Sequence, residues 1–194
     1  MSVSTDGLSP LARKILSIDP VQAYNRLVVK GPGNTEAASL LQDASPASLL
    51  HGNPPASDAA SLVQAGLWLW HDWLDESHRV CQSVDTHDGA FWHAIMHRRE
   101  GDFPNSKYWY AKCDGHALFD TIGANAQAAI NPWPADMQLL KLNYNGWKPA
   151  AFVDFVEHIH KTPDDPRAPL AVALQQLEWR SLFDHCVRLA QVKT

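Results

Sequence analysis

The sequence predicts an all-α protein, built of packed antiparallel helical hairpins and closed by a long C-terminal helix. Three observations predict it. Alanine and leucine number 25 and 21, against 12 valines, 6 isoleucines and 6 threonines, a balance that favours helix over sheet. No stretch keeps a two-residue apolar alternation, and Arg26–Lys30 (RLVVK) is the one strand-like run. Proline is absent from Ala56 to Phe103 and from Leu170 to Thr194. Proline costs about 3 kcal/mol inside a helix, so these are the stretches where long helices fit.

The elements follow in order. Residues 1–55 read as short helices and loops. Asp19-Pro20 is a helix start leading into Val21–Val28, and Gly31-Pro32-Gly33 breaks the chain. Glu36–Gln42 and Pro46–Leu50 each allow two turns. His51-Gly52-Asn53-Pro54-Pro55 is a loop. Ser57 then caps a helix from Asp58 that carries Leu62, Leu69 and Trp70. A hairpin segment is expected over 72–84, with Asp72 as its N-cap and Asp75 at the capping-box position. The next helix opens near Gly89 and ends at Gly101. Asp102 starts another, with Pro104 in its first turn, ending before Gly115. Ala117–Ile130 repeats the pattern, and Asn131–Gly146 is irregular. Lys148–His160 is helical, with Phe152, Phe155, Val156 and Ile159 on one stripe. Thr162–Pro169 connects to a last helix, Leu170–Ala190, on which Trp179, Leu182, Phe183, Cys186 and Leu189 recur three or four apart. No linker is long enough to divide the chain, so 1–194 reads as one domain. Within it, 57–130 holds the core hairpins and 148–190 the C-terminal helices.

Charge and cysteine usage bound the function. Sixteen lysines and arginines stand against 21 acids, a formal charge of −5. A general nucleic-acid binder needs a basic face to displace counterions, so none is expected. Cys81, Cys113 and Cys186 are odd in number and widely spaced, without C-x-x-C, which argues against a disulfide framework or a cysteine zinc site. The longest purely apolar run of the 67–72 stretch, Leu67–Trp70, is far short of the roughly twenty residues a membrane span needs. Met1–Pro20 has no apolar signal core. A soluble, cytoplasmic protein is the expectation.

Six of the ten histidines lie between His71 and His116. Two groups share one spacing: His71-x3-Asp75-x2-His78 and His93-x3-His97-x2-Glu100. Positions i, i+4 and i+7 fall within a sector of about 60° on a helix, so each group projects along one line. His93, His97 and Glu100 sit beside the apolar arc of Phe91, Trp92 and Ile95. Asp75 and His78 bear the same relation to Leu74 and Cys81. Two imidazoles at i and i+4 can bind one metal, and a carboxylate from a facing helix completes the set, leaving positions for water or substrate. Asp75, His78, His93 and His97 are the candidate ligands, for a divalent ion of the zinc or iron/manganese type. Glu100 is a fifth ligand or a base. Asp72, Glu76 and Asp102 are candidate acceptors behind the ligand imidazoles. The competing reading is a hydrogen-bonded polar network without metal. His71 leaves the face if the chain turns at His71-Asp72.

Arg98 and Arg99, followed by Lys107, have two readings. They are helix-end cations that offset the carbonyl end of the dipole, or an arginine fork that clamps a small anionic ligand, carboxylate or phosphate. On the second reading Arg99 and Glu100 are the candidate catalytic residues. Eight tryptophans are either core or the lining of a ligand pocket. Phosphate-loop, dinucleotide and serine-hydrolase signatures are absent.

Residues 88–113, DGAFWHAIMHRREGDFPNSKYWYAKC, carry Ala94, Gly101-Asp102 and Ser106. This arrangement resembles a helical hairpin of the tetratricopeptide or Sel1-like type, with a poorer copy at 71–77. The stretch 68–109 is also similar to a group of helical proteins without an assigned activity. The first resemblance implies a protein-interaction module with no chemistry, and the second implies no activity. Two function classes thus stand: a small-molecule protein with a His/Asp/Glu site between hairpins, and a helical-repeat module.

Overall fold

The computed structural model describes residues 5–131 and 147–192. Among these residues it is all-α. The helices are α1 (Pro10–Leu16), α2 (Thr35–Gln42), α3 (Asp58–Trp70), α4 (Leu74–Cys81), α5 (His87–Glu100), α6 (Phe103–Lys112), α7 (Leu118–Ile130), α8 (Pro149–Lys161) and α9 (Ala168–Gln191), with a 3-10 turn at Pro46–Leu49. No strand forms among the described residues, and the only β-type pairing there is an isolated bridge between Leu8 and Leu50. No described helix is long and apolar enough to cross a membrane. The irregular stretch expected at 131–146 lies, past Asn131, outside the described residues.

Caps explain most helix starts. Ser9, Asn34, Ser57, Thr86 and Asp102 each accept a backbone N–H from the third residue onward, satisfying one of the orphan donors of a first turn. Helix α5 ends on Gly101 at φ +90°, in the left-handed conformation glycine adopts without penalty. That turn folds α6 back along α5. Ser106 donates to the Ala94 carbonyl at 2.8 Å, so the two helices meet through small residues.

The core gathers around α3, α5 and α9. Trp179 on α9 stacks on Phe183 with ring centroids 4.5 Å apart, and lies 4.5 Å from Trp70 on α3. Gly66 makes this approach possible. A Cβ there would stand 2.9 Å from Phe183 and 3.0 Å from Trp92, and the Gly66 carbonyl accepts the Trp179 indole N–H at 3.0 Å. Helix α5 is buried continuously from Gly89 to Arg99. It is therefore a central helix enclosed on all sides rather than a surface helix with one wet face.

Four expectations need correction. Val21–Val28 is not helical; residues 20–24 form a turn, Val21 is exposed, and Tyr24 takes φ +55°. That conformation turns the Tyr24 ring onto Trp70, 5.6 Å away and nearly parallel, so aromatic burial outweighs local helix preference. The strand-like run at Leu27–Lys30 makes one bond to the buried layer, from Val29 N–H to the Arg99 carbonyl at 2.8 Å. Asp72 is not an N-cap: Trp73 holds that position, and Asp72 sits at φ +65° with its carboxylate turned inward. Leu189, expected on the buried stripe of the last helix, is 43% exposed. Helix α1, capped by Ser9 with Pro10 in its first turn, had no counterpart among the expected elements.

Candidate metal centre

Helix α4 carries His78, and α5 carries His93 and His97 one turn apart. The two helices pack so that the three imidazoles meet. Ring centroids lie 4.6 Å apart for His78–His93, 5.3 Å for His78–His97 and 4.8 Å for His93–His97. One nitrogen from each ring lies within 4.8 Å of the other two, so the group could hold a metal ion. His93 is 3% exposed, and its ring lies on the Trp109 indole at 3.9 Å with an interplanar angle of 18°. His78 is half-buried and leaves the group one wet side.

Hydrogen bonding sets the three rings apart. His97 Nδ1 is 3.0 Å from Glu100 Oε2, and its Nε2 is 3.1 Å from Asn105 Nδ2. A carboxylate only accepts and an amide nitrogen only donates, so this network assigns the proton to Nδ1 and the lone pair to Nε2. His93 has no such partners. Both of its ring nitrogens are buried and make no hydrogen bond. A neutral imidazole carries one N–H, and leaving such a buried donor unmade costs about 1–3 kcal/mol.

Electrostatics favour the neutral form of two of these rings, His93 and His78. Burial, reinforced by the neighbouring His97 and His78, pushes the His93 imidazole down to about 3. Burial and then His97 also lower His78, against the opposing pull of the Glu100 and Asp75 carboxylates. A neutral imidazole is the form that coordinates metal.

The remaining expected site residues fall elsewhere. Asp75 is exposed and stands outside the three-nitrogen group; with Trp73, Glu76 and Glu100 it lines a neighbouring cleft of about 420 Å³. Glu100 backs His97, the role expected of Asp72, Glu76 or Asp102. Those three are engaged otherwise: Asp72 with Arg26 and Arg99, Glu76 with Arg79, and Asp102 as the α6 cap, although Asp102 also groups with His97 and Glu100. His71 is a turn residue bonded through Nε2 to the Ile15 carbonyl at 2.9 Å.

The arginines are not presented to a ligand. Arg99 is fully buried; its Nη1 donates to the Leu69 carbonyl at 2.7 Å, and its Nη2 to the Arg26 carbonyl at 3.0 Å and to Asp72 at 2.5 Å. Its guanidinium lies 4.0 Å above the Tyr24 ring. Arg98 is equally buried and pairs with Glu178 at 2.5 Å, while Tyr110 and Trp147 donate to the second Glu178 oxygen. Lys107 pairs with Asp154. Both arginines of the anticipated clamp are thus buried cross-links of the fold, neither is an exposed helix-end charge, and Lys107 stands in a surface ion pair. Glu178 lies 80 residues from Arg98 and on no shared motif, so its pairing had no local sequence signal.

A second group, Asp88, His116 and His185, has comparable spacing but different chemistry. Both Nε2 atoms approach Asp88 Oδ1, at 2.9 and 3.1 Å. The Leu118 N–H donates to His116 Nδ1 at 3.1 Å, which places the His116 proton on Nε2, toward Asp88. Burial pushes the Asp88 carboxyl up, but the His116 bond and the charges of both histidines outweigh it and leave it low. This group is a satisfied hydrogen-bond network, drawn from three elements far apart in sequence.

Fold and site together define the class: an all-α protein with buried histidine and carboxylate groups able to hold a metal. No family model, curated protein or solved structure matches the chain.

Proposed function

We propose that the protein binds a divalent first-row transition ion, zinc in the first instance, through His78, His93 and His97. The observation that carries this reading is the buried His93 ring, with both nitrogens unpartnered beside two further imidazoles. A metal ion would give one of those two nitrogens a partner by taking the His93 lone pair. The nitrogens would need to close to about 3.4 Å around a tetrahedral ion with bonds of 2.0–2.1 Å, a movement within reach of side-chain rotation. Glu100 would hold the Nδ1 proton of His97 and so fix its tautomer, as carboxylates behind ligand histidines do. Asn105 would surrender its bond to His97 Nε2. Three protein nitrogens leave room for water or a small ligand on the His78 side, where the ion would supply Lewis acidity.

The test is a calorimetric titration of untagged, chelator-treated protein with zinc. One ion per chain is expected, with affinity falling at least tenfold in His93→Gln and in His97→Gln. Protein that takes up no zinc, or variants that bind it unchanged, would leave the cluster as a packing of three imidazoles.

A further inference from the structure

A separate cleft of about 360 Å³, to which none of His78, His93 and His97 contributes, reaches Asp72. Its lining includes Asp19, Gln22, Arg26, Asn34, His71 and Asp72. Three of these side chains present complementary chemistry. The Asp19 carboxylate is exposed and has no hydrogen bond or ion pair with any described residue. The Arg26 guanidinium is 46% exposed; its Nε and one terminal nitrogen bond Asp72 at 2.9 and 2.5 Å, and its other terminal nitrogen reaches only a distant carbonyl at 3.5 Å. His71 is 3% exposed. Its Nε2 donates to the Ile15 carbonyl at 2.9 Å, so Nδ1 is an acceptor, and it has no partner in the protein.

The backbone holds these groups at a cost. Asp19 sits at φ +42° and Asp72 at φ +65°, and both line this cleft. Non-glycine residues in that region are uncommon and concentrate where a site requires them. The volume lies at the small end of ligand pockets, about 300–1,000 Å³. An anion alone would meet Asp19, and a cation alone would meet Arg26.

We propose that this cleft binds a small zwitterion of the α-amino-acid class, its ammonium group on Asp19 and His71 Nδ1 and its carboxylate on the free edge of Arg26. An arginine edge presents paired donors to a carboxylate, and a neutral imidazole nitrogen accepts from an ammonium. The site is independent of any metal at His78, His93 and His97.

The experiment is a thermal-unfolding screen of the full chain in excess chelator, against the free amino acids one at a time, with acetate and methylamine as half-molecules. At ten times its dissociation constant, at least one amino acid is expected to raise the melting midpoint by about 3–6 °C. Neither half-molecule should reproduce the shift. Asp19→Asn keeps a residue that tolerates positive φ and should weaken binding at least tenfold. Arg26→Gln should do the same, read on protein whose circular dichroism is unchanged; if that variant does not fold, Asp19→Asn decides alone. No shift from any amino acid, an equal shift from acetate, or unchanged affinity in Asp19→Asn overturns the proposal.

Discussion

The imidazole of His93 lies face to face on the indole of Trp109, ring centroids 3.9 Å apart, and this contact joins α5 to α6 at the histidine group. Trp109 is half-buried, so it shields the ring on one face without contributing a polar atom to it. Trp109→Ala removes that face. It is expected to cost about 2–3 kcal/mol of stability, below the range for a fully buried tryptophan, and to weaken zinc binding by tenfold or more as His93 loses its orientation. Denaturant unfolding and a zinc titration of the variant measure the two effects separately.

Arg99 and Leu182 should look alike in stability and differ in cause. Leu182 is fully buried, and its truncation to alanine should cost about 2–5 kcal/mol by opening a cavity. Arg99→Ala leaves Asp72 buried with only Arg26 as a partner and strips donors from two carbonyls. A loss of about 3 kcal/mol is expected. Urea midpoints with unchanged slopes would show it. A loss under about 0.5 kcal/mol would return Arg99 to a surface role.

The Asp102 cap offers a smaller, local check. Its Oδ1 accepts the Asn105 N–H at 3.3 Å at the start of α6. Asp102→Ala should cost about 1 kcal/mol, visible as a small downward shift of the urea midpoint, with zinc affinity nearly retained.

Acid should destabilise the metal-free protein in a defined window. The folded His93 stays neutral to about pH 3, whereas in the unfolded chain it takes a proton near 6.5. Between those values the unfolded state binds more protons, so stability falls as pH falls. The slope attributable to this residue is up to about 1.4 kcal/mol per pH unit, and it should vanish above pH 7. Unfolding free energies measured from pH 7.5 to 4 in wild type and His93→Gln isolate the contribution, since the variant lacks the titrating ring.

How legible this was depends on the range of the interactions. Helices with local signals were readable: Ser57 and Asp102 as caps, Gly101 as a stop, and the Phe152–Ile159 stripe. The convergence of His78 with His93 and His97 was also legible, because a repeated i, i+4, i+7 spacing fixes which residues share a helix face. Asp75 shares that spacing but points outward, since α4 is short and begins at Leu74, two residues after a left-handed turn at Asp72. The central position of α5 was hidden. Its His-Arg-Arg-Glu end reads as a wet helix terminus, and only Glu178 and Asp72, brought from distant elements, let two guanidinium groups lie fully buried. The Asp88–His116–His185 network was hidden for the same reason.

The most direct measurement is X-ray absorption at the zinc edge on untagged protein loaded with one equivalent of zinc. Coordination by His78, His93 and His97 would give a first shell containing three imidazole nitrogens at about 2.0–2.1 Å, with the imidazole signal reduced in His93→Gln. A first shell of oxygen alone, or a spectrum unchanged by removing His93, would contradict it.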